Sequence, residues 1–361
     1  MIRLLQELPD EERKSLEEED PPHKPSPMLA TLSHEPFSDP EWIFERKLDG
    51  ERVVAVHRGG PAGEESGNGI SGAEGRTDTP VRLLSRNGEL LNETYPELEE
   101  ALEDAGPSRK RTPVPFVVDG EVVAFSGGVT SFSRLQDRMK IREREEARAS
   151  RVKVYHYLFD LLHLDGHDLT DLPLRRRKAL LRRALSFSDP LRLLPHRNEA
   201  GESYHAKACE KGWEGIIAKE ATSPYRHTRS RAWLKLKCVR GQELVIGGFT
   251  EPEGERIGFG ALLVGYYREG DLRYAGKVGT GYDDETLEEL RERLDGMERK
   301  TSPFVEPEKD DLPEKGVHWV TPKLVGEFGF TEWTDDGKLR HPRFKGLRRD
   351  KDPGDVVRED A

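Results

Sequence analysis

One lysine stands in a setting suited to phosphorus chemistry. Lys47 lies in the run Glu45-Arg46-Lys47-Leu48-Asp49-Gly50-Glu51-Arg52, and Lys-x-Asp-Gly occurs once in the chain. A lysine amine attacks phosphorus only after losing its proton, which requires a pKa depressed by burial or by nearby cations. Arg52, Lys235 and Lys237 are the candidate cations. The pattern fixes only three positions, so taken alone it is better read as a surface hairpin with a lysine beside an Asp-Gly turn.

Four further segments follow in the order a nucleotidyl-transfer site would use them. Asp119-Gly120-Glu121 places a carboxylate just after an expected turn, and an ordinary β-turn is an equal reading. Tyr157-Leu158-Phe159-Asp160 ends an aromatic strand, where core packing is the preferred reading for Tyr157. Glu214-Gly215-Ile216-Ile217-Ala218-Lys219 carries an acid at the start of an apolar strand and a lysine at its far end. Trp233-Leu234-Lys235-Leu236-Lys237 is more telling. Strand side chains alternate faces, so Leu234 and Leu236 point one way while Lys235 and Lys237 share the other. Two like charges on one face repel unless an anion such as a triphosphate lies between them, or unless solvent bathes an edge strand.

These residues need a scaffold of short strands. Trp42–Glu45 and Val53–His57 read as strands flanking a turn at Asp49-Gly50, and Phe116–Val118 and Glu121–Phe125 as a second pair around Asp119-Gly120. Residues 59–79 hold seven glycines without periodicity and read as a flexible loop. Arg134–Arg148 and Leu174–Leu185 have helical spacing. Val152–Phe159, Gly215–Lys219 and Ala232–Cys238 read as strands. Beyond Gly241 short strands broken by glycine surround one helix, Asp283–Leu294, capped by its Asp and apolar at Leu287 and Leu290. That texture suits a small β-barrel of the OB type.

The chain has 361 residues, which suits two domains. The expected divisions are a flexible acidic leader over 1–26, a first domain over 27–240 and a second over 241–361. No apolar run is long enough to cross a membrane, and the acidic N-terminus does not read as a signal peptide. The two cysteines, Cys209 and Cys238, are expected as reduced thiols in a cytoplasmic protein. No Cys-x-x-Cys occurs and the histidines lack zinc spacing, so a structural zinc site is not expected. Net charge is −11, which argues mildly against nucleic acid. The total hides local clusters, however. Residues 226–240 hold six basic residues and no acid, and residues 338–351 hold seven basic residues and one Asp. An acidic exterior with basic segments fits a focused anion site.

Together the segments resemble the covalent nucleotidyltransferase superfamily in its ATP-dependent DNA ligase form. Lys47–Gly50 is similar to motif I, Ser85-Arg86-Asn87-Gly88 to motif Ia, Asp119–Glu121 to motif III and Tyr157–Asp160 to motif IIIa. Glu214–Lys219 and Trp233–Lys237 resemble motifs IV and V. His341–Lys351 resembles motif VI of these ligases. Ordered motifs over roughly 300 residues are a far stronger signal than any one of them. Pro27–Leu32 and Val245–Gly281 resemble the ligase module of bacterial DNA ligase D. The polymerase and phosphoesterase modules of that family are not in this sequence, so the resemblance implies a stand-alone ligase.

The resemblance implies an α+β fold: a nucleotidyltransferase (ATP-grasp-like) domain with antiparallel sheets, followed by an OB-fold barrel. It implies ATP, with Mg²⁺ or Mn²⁺, and nicked or broken duplex DNA as substrate. Lys47 would carry AMP, with Lys235 and Lys237 neutralising the α-phosphate. Glu45 would accept from the adenine amino group and Phe159 would stack on the ring. Arg52 and Glu121 would hold the ribose, and Lys219 would complete the nucleotide pocket. Glu214 and Glu121 would bind the metal, and Arg86 the nick phosphate. Arg348 and Lys351 would orient the β- and γ-phosphates. The expected protein is a monomer of the cytoplasm and nucleoid, without membrane contact, for which a Ku-like end-binding protein is a candidate partner. The competing readings are an RNA ligase or capping guanylyltransferase, an NAD-dependent ligase, and a non-catalytic nick-binding scaffold. Motif VI, the missing zinc module and the complete set of chemical residues respectively count against them.

Overall fold

The computed structural model describes residues 1–59, 80–109, 112–238, 241–252, 257–305, 316–334 and 336–359. The chain divides into two compact units, Met1–Cys238 and Val239–Ala361.

In the first unit, alternating side chains build two apolar layers around one sheet. Strands β1 (Leu29–Leu32), β2 (Trp42–Lys47), β3 (Glu51–His57), β4 (Val81–Ser85), β5 (Phe116–Ser126), β6 (Val154–Leu164), β7 (His196–Asn198), β8 (Gly215–Glu220) and β9 (Arg229–Lys237) form two main sheets. One runs β6-β5-β3-β4 with each of these neighbours antiparallel, and the short segment Leu191–Leu193 lies parallel to β6. The other runs β1-β9-β8-β2-β7, antiparallel except for β1 against β9. Val53 and Ala55 face a core shared with helices α3 (Pro96–Glu103), α4 (Phe132–Met139) and α6 (Leu174–Ala184). Val54 and Val56 face the other way, into a cluster with Met28, Phe159, Tyr225 and Trp233. The second sheet buries Phe44, Ile216 and Leu236 against Tyr204 and Ala208 of helix α7 (Gly201–Glu210).

Several expectations need correction. Strands β2 and β3 are not a hairpin, because each belongs to a different sheet. Asp119-Gly120 is no turn either: β5 runs straight through it, opposite a bulge at Phe159 in β6. A Cβ on Gly120 would lie 2.5 Å from His156 Nε2, so the Asp-Gly pair serves close packing rather than chain reversal. The region 134–148 breaks into α4 and α5 (Arg144–Ala149), because fully buried Arg138 turns back to the Ala147 carbonyl and to Glu97. The leader 1–26 is packed rather than loose. Leu5 and Leu8 are buried in the first core, and Glu7 and Glu12 pair with Arg183 and Arg176. The two cysteines, expected reduced, are joined as a disulfide. The expected glycine-rich loop falls, from residue 60 onward, outside the described residues.

His156 sits wholly buried beneath β3, its Nε2 3.3 Å from the Val53 carbonyl. Burial pushes its pKa down to about 4, from an ordinary 6.5. The unfolded chain therefore binds the extra proton first, so stability falls as pH drops from 6.5 through 4, by about 3 kcal/mol from this group. Denaturant midpoints at pH 7 and 4.5 should show a larger acid loss in the wild type than in His156→Gln; equal losses would refute the assignment.

In the second unit, β10 (Gly241–Thr250), β11 (Leu262–Arg268), β12 (Asp271–Val278), β13 (Val317–Gly329) and β14 (Arg343–Arg348) form an antiparallel sheet in the order β12-β11-β10-β13-β14. Bulges in β10 and β12 bend the strands as an OB fold requires. Helix α8 (Asp284–Asp295) starts where Asp283 accepts from the Thr286 amide at 2.9 Å, and buries Leu287, Leu290 and Leu294. Among the described residues no helix is long and apolar enough to cross a membrane.

Candidate active site

The register of the second sheet gathers the chemistry-bearing side chains on one face. Lys47 pairs with Gly215, which pairs with Lys237; Glu45 pairs with Ile217, which pairs with Lys235; Lys219 pairs with Trp233. Residues directly opposite one another share a face. Lys47, Glu45, Lys219, Trp233, Lys235 and Lys237 therefore project together, while the apolar Phe44, Ile216 and Leu236 cover the other side. The alternation read from Trp233–Lys237 holds in this geometry.

Local structure explains the Lys-x-Asp-Gly spacing. Lys47 is the last residue of β2. Asp49 bridges onto the start of α4, its Oδ2 accepting from the Phe132 amide at 3.3 Å. Gly50 passes so close to β5 that a Cβ would lie 2.2 Å from the Val122 carbonyl oxygen. The pair thus carries the chain from one sheet to the other and leaves the lysine at a strand end.

Lys47 Nζ lies 2.6 Å from Glu214 Oε1, the residue just before β8. Burial works against the Lys47 cation, as does Lys237. The Glu214 carboxylate outweighs both, with help from Asp49, and holds the lysine above its ordinary pKa. The expected depression is thus absent: Glu214 keeps the nucleophile protonated in this state.

Behind it lies a buried charge cluster that the sequence only partly announces. Glu45 is 1 % exposed and receives both Lys178 of α6 and Lys219, the latter at 2.7 Å. Burial favours the neutral acid, but the two ammonium groups prevail and hold Glu45 below the usual carboxylate range. Burial first, then Lys178, pushes Lys219 down to about 8. Its Nζ sits 4.0 Å from the Phe159 ring centre and 3.8 Å from that of Trp233. Arg52 lies over the other aromatic contact, 4.6 Å from Phe159, and is clamped by both oxygens of fully buried Asp119. Burial disfavours the Arg52 cation, yet Asp119 more than offsets it and raises the pKa. Tyr225 donates to Asp119 at 2.6 Å and accepts from the Met28 amide at 2.7 Å.

Lys178, Asp119 and Tyr225 went unassigned in the sequence reading. A signal existed for Lys178, which shares the buried stripe of α6 with Leu174, Arg177 and Leu181; charge on an apolar stripe marks a buried partner. Arg177 meets Asp160, both fully buried, at 2.8 Å. Glu121 stands opposite Arg52 in register, half-buried, and Arg86 follows β4 at a turn where Gly88 donates to the Ser85 carbonyl.

Arg348 and Lys351 lie in the second unit. Arg348 is gripped by Asp350 through both oxygens, at 2.9 and 2.7 Å, with Glu327 at 4.0 Å. Burial opposes the charge, but Asp350 raises the Arg348 pKa well above its ordinary value.

This fold is matched in known proteins. Residues 73–237 match the family described as ATP dependent DNA ligase domain, and residues 255–351 the ATP dependent DNA ligase C terminal region. The chain belongs to the ATP-dependent DNA ligases, a family of enzymes. Within it, the multifunctional non-homologous end joining protein LigD of Pseudomonas aeruginosa is 37% identical over 342 residues, covering 92% of this chain and 36% of that protein. The multifunctional non-homologous end joining DNA repair protein LigD of Mycobacterium tuberculosis is 38% identical over 346 residues, covering 92% and 40%. A solved structure of mycobacterial DNA ligase D complexed with ATP and MES is 34% identical and aligns with a TM-score of 0.60, over 92% of this chain and 98% of that one. The chain spans well under half the length of these two curated relatives.

Proposed function

We propose that this chain seals 5′-phosphate/3′-hydroxyl breaks in duplex DNA at the expense of ATP, through AMP held on Lys47. The observation that carries this reading is the shared face of Lys47, Glu45, Lys219, Lys235 and Lys237 beside the buried rings of Phe159 and Trp233. The neutral amine of Lys47 attacks the α-phosphorus of ATP; a P–N bond forms, the bond to the β-phosphate breaks and pyrophosphate leaves. A 5′-phosphate oxygen then attacks the AMP phosphorus, the P–N bond breaks and the departing Lys47 amine recovers its proton. The 3′-hydroxyl finally attacks the activated 5′-phosphate and AMP departs. Splitting the joining this way gives the 5′-phosphate a leaving group it otherwise lacks.

Lys235 and Lys237 offset charge on the α-phosphate during the in-line step. Glu45 and Lys219 frame the nucleobase beside Phe159. Arg52 and Glu121 hold the ribose, and Arg86 meets the nick phosphate. Glu214 and Glu121 offer hard oxygen donors suited to Mg²⁺ or Mn²⁺, which when bound would help neutralise phosphate charge. The expected working form is a monomer of the cytoplasm and nucleoid. A Ku-like end-binding protein would recruit it if double-strand ends are the substrate, as the names of the LigD relatives suggest. Sealing assays on nicked DNA, nicked RNA–DNA hybrids and blunt ends test the reading. ATP-dependent closure of the DNA nick supports it; closure of RNA alone, or of nothing, contradicts it.

Two further outcomes follow. Arg348→Ala should lower sealing with ATP and a plain nick by about a hundredfold or more, if a charge placed on the outer phosphates is lost. A nick already carrying 5′-AMP should still be sealed. Equal losses on both substrates would point instead to the Asp350 carboxylate left buried without its partner. Nick binding should also be salt-sensitive despite the net charge of −11. If residues 226–240 and 338–351 neutralise about four phosphates or more, affinity falls at least about a hundredfold between about 50 and 200 mM salt. A flat salt profile would count against a basic DNA-facing surface.

A further inference from the structure

Helix α7 and the end of β9 bring together three side chains that ligation does not use. His205 and Cys209 stand four residues apart on α7, so they project from one side of the helix. Cys238 immediately follows β9 and is bonded to Cys209 across 29 residues. Among the described residues, these three form the one group of metal-ligating side chains whose donor atoms all lie within 4.8 Å of one another.

Apart from the sulfur–sulfur bond, which must open before a cation enters, the histidine-to-sulfur spacing is close to that of a tetrahedral cation site. Zinc holds cysteine sulfur at about 2.3 Å and histidine nitrogen at about 2.0 Å, which places neighbouring ligand atoms about 3.5 Å apart. Cys209 Sγ lies 3.9 Å from His205 Nδ1 and 3.7 Å from Nε2. His205 Nε2 also faces the Lys237 carbonyl at 3.4 Å. A metal-bound histidine directs its other N–H to such an acceptor, which fixes the ring and leaves Nδ1 for the metal. The carbonyl belongs to the residue preceding Cys238, so one strand end supplies both a ligand and the group that orients another.

We propose that His205, Cys209 and Cys238 form a site for a thiophilic divalent cation of the zinc type, occupied in the reduced protein, with water as the fourth ligand. The disulfide is the oxidised, metal-free form of the same site. Two molecules of a thiol reductant open the disulfide to two thiols and leave as their own disulfide; cation binding then displaces both thiol protons. In reverse, a small-molecule disulfide accepts the two electrons and becomes two thiolates while the cysteine sulfurs join and release the cation. The proposal departs from the sequence expectation of no zinc site. The pattern was invisible there because the third ligand lies 29 residues beyond the helical pair.

Either form ties α7 to the end of the strand that carries Lys237. The Cys238 amide also donates to the Glu214 carbonyl at 2.9 Å, so the cluster adjoins the backbone of the residue that holds Lys47. Nitrogen and sulfur donors distinguish this site from the carboxylates of the ATP face, which favour harder cations.

The test uses the full chain, reduced with a phosphine, desalted without oxygen and titrated with Co²⁺ in excess Mg²⁺. The expected result is one equivalent bound, with the visible absorption of tetrahedral cobalt and a thiolate charge-transfer band, both removed by Zn²⁺. Cys209→Ser should lose most of the charge-transfer band. His205→Ala keeps both sulfurs, still forms the disulfide when oxidised, and should bind at least about tenfold more weakly. No uptake by the reduced chain, uptake without a thiolate band, or undiminished binding in both variants would each overturn the proposal.

Discussion

Lys47→Ala should carry no detectable AMP after incubation with ATP, while keeping its fold. The amine is the atom that bonds to phosphorus, and no neighbour on the face can replace it. Lys237 and Lys235 start from other strand positions, and Lys219 is spent on Glu45. Breaking the partly solvated pair with Glu214 costs on the order of 1–3 kcal/mol, which a two-layered core of this size tolerates. Lys47→Arg should fail as well, because a guanidinium stays protonated near neutral pH. The variant should still seal a nick that already carries 5′-AMP. Radiolabel retained on Lys47→Ala at wild-type level would place the adenylate elsewhere.

Glu214→Gln should separate two properties that ordinarily move together. Glu214 is the group that holds the lysine proton. Without its charge, burial and Lys237 act against the remaining help from Asp49, and the Lys47 pKa falls. The amine should then react faster with a neutral acylating reagent at pH 8, by up to about tenfold for each pKa unit released, read by peptide mapping at Lys47. Adenylation by ATP should nevertheless fall by about a hundredfold or more, because a carboxylate suited to a divalent cation is gone. A variant whose lysine becomes less reactive towards the reagent would show that Glu214 does not restrain the proton.

The sequence made the chemistry legible where periodicity and order carried it. Alternation over Trp233–Lys237 placed both lysines on one face, and the order of Lys47, Glu121, Phe159, Glu214 and Lys235 implied one site. What it could not show was which charges neutralise one another. Arg52, read as a ligand contact, is also held by Asp119, and Glu45 is held by a lysine 133 residues away. Such pairs form only once two sheets and a helix meet, and no local spacing encodes them. Local patterns also misled at Asp119-Gly120, where close approach to His156, not a turn, demands glycine. The leader's acidity suggested looseness, yet Leu5 and Leu8 supply the apolar contacts that pin it.

Mass spectrometry of the intact chain after exposure to ATP and Mg²⁺, followed by peptide mapping, tests the central claim most directly. The account predicts one AMP per chain, in phosphoramidate linkage to Lys47, lost on addition of nicked DNA as the nick closes. An unmodified chain that still seals nicks with ATP, or AMP on a residue other than Lys47, would contradict it.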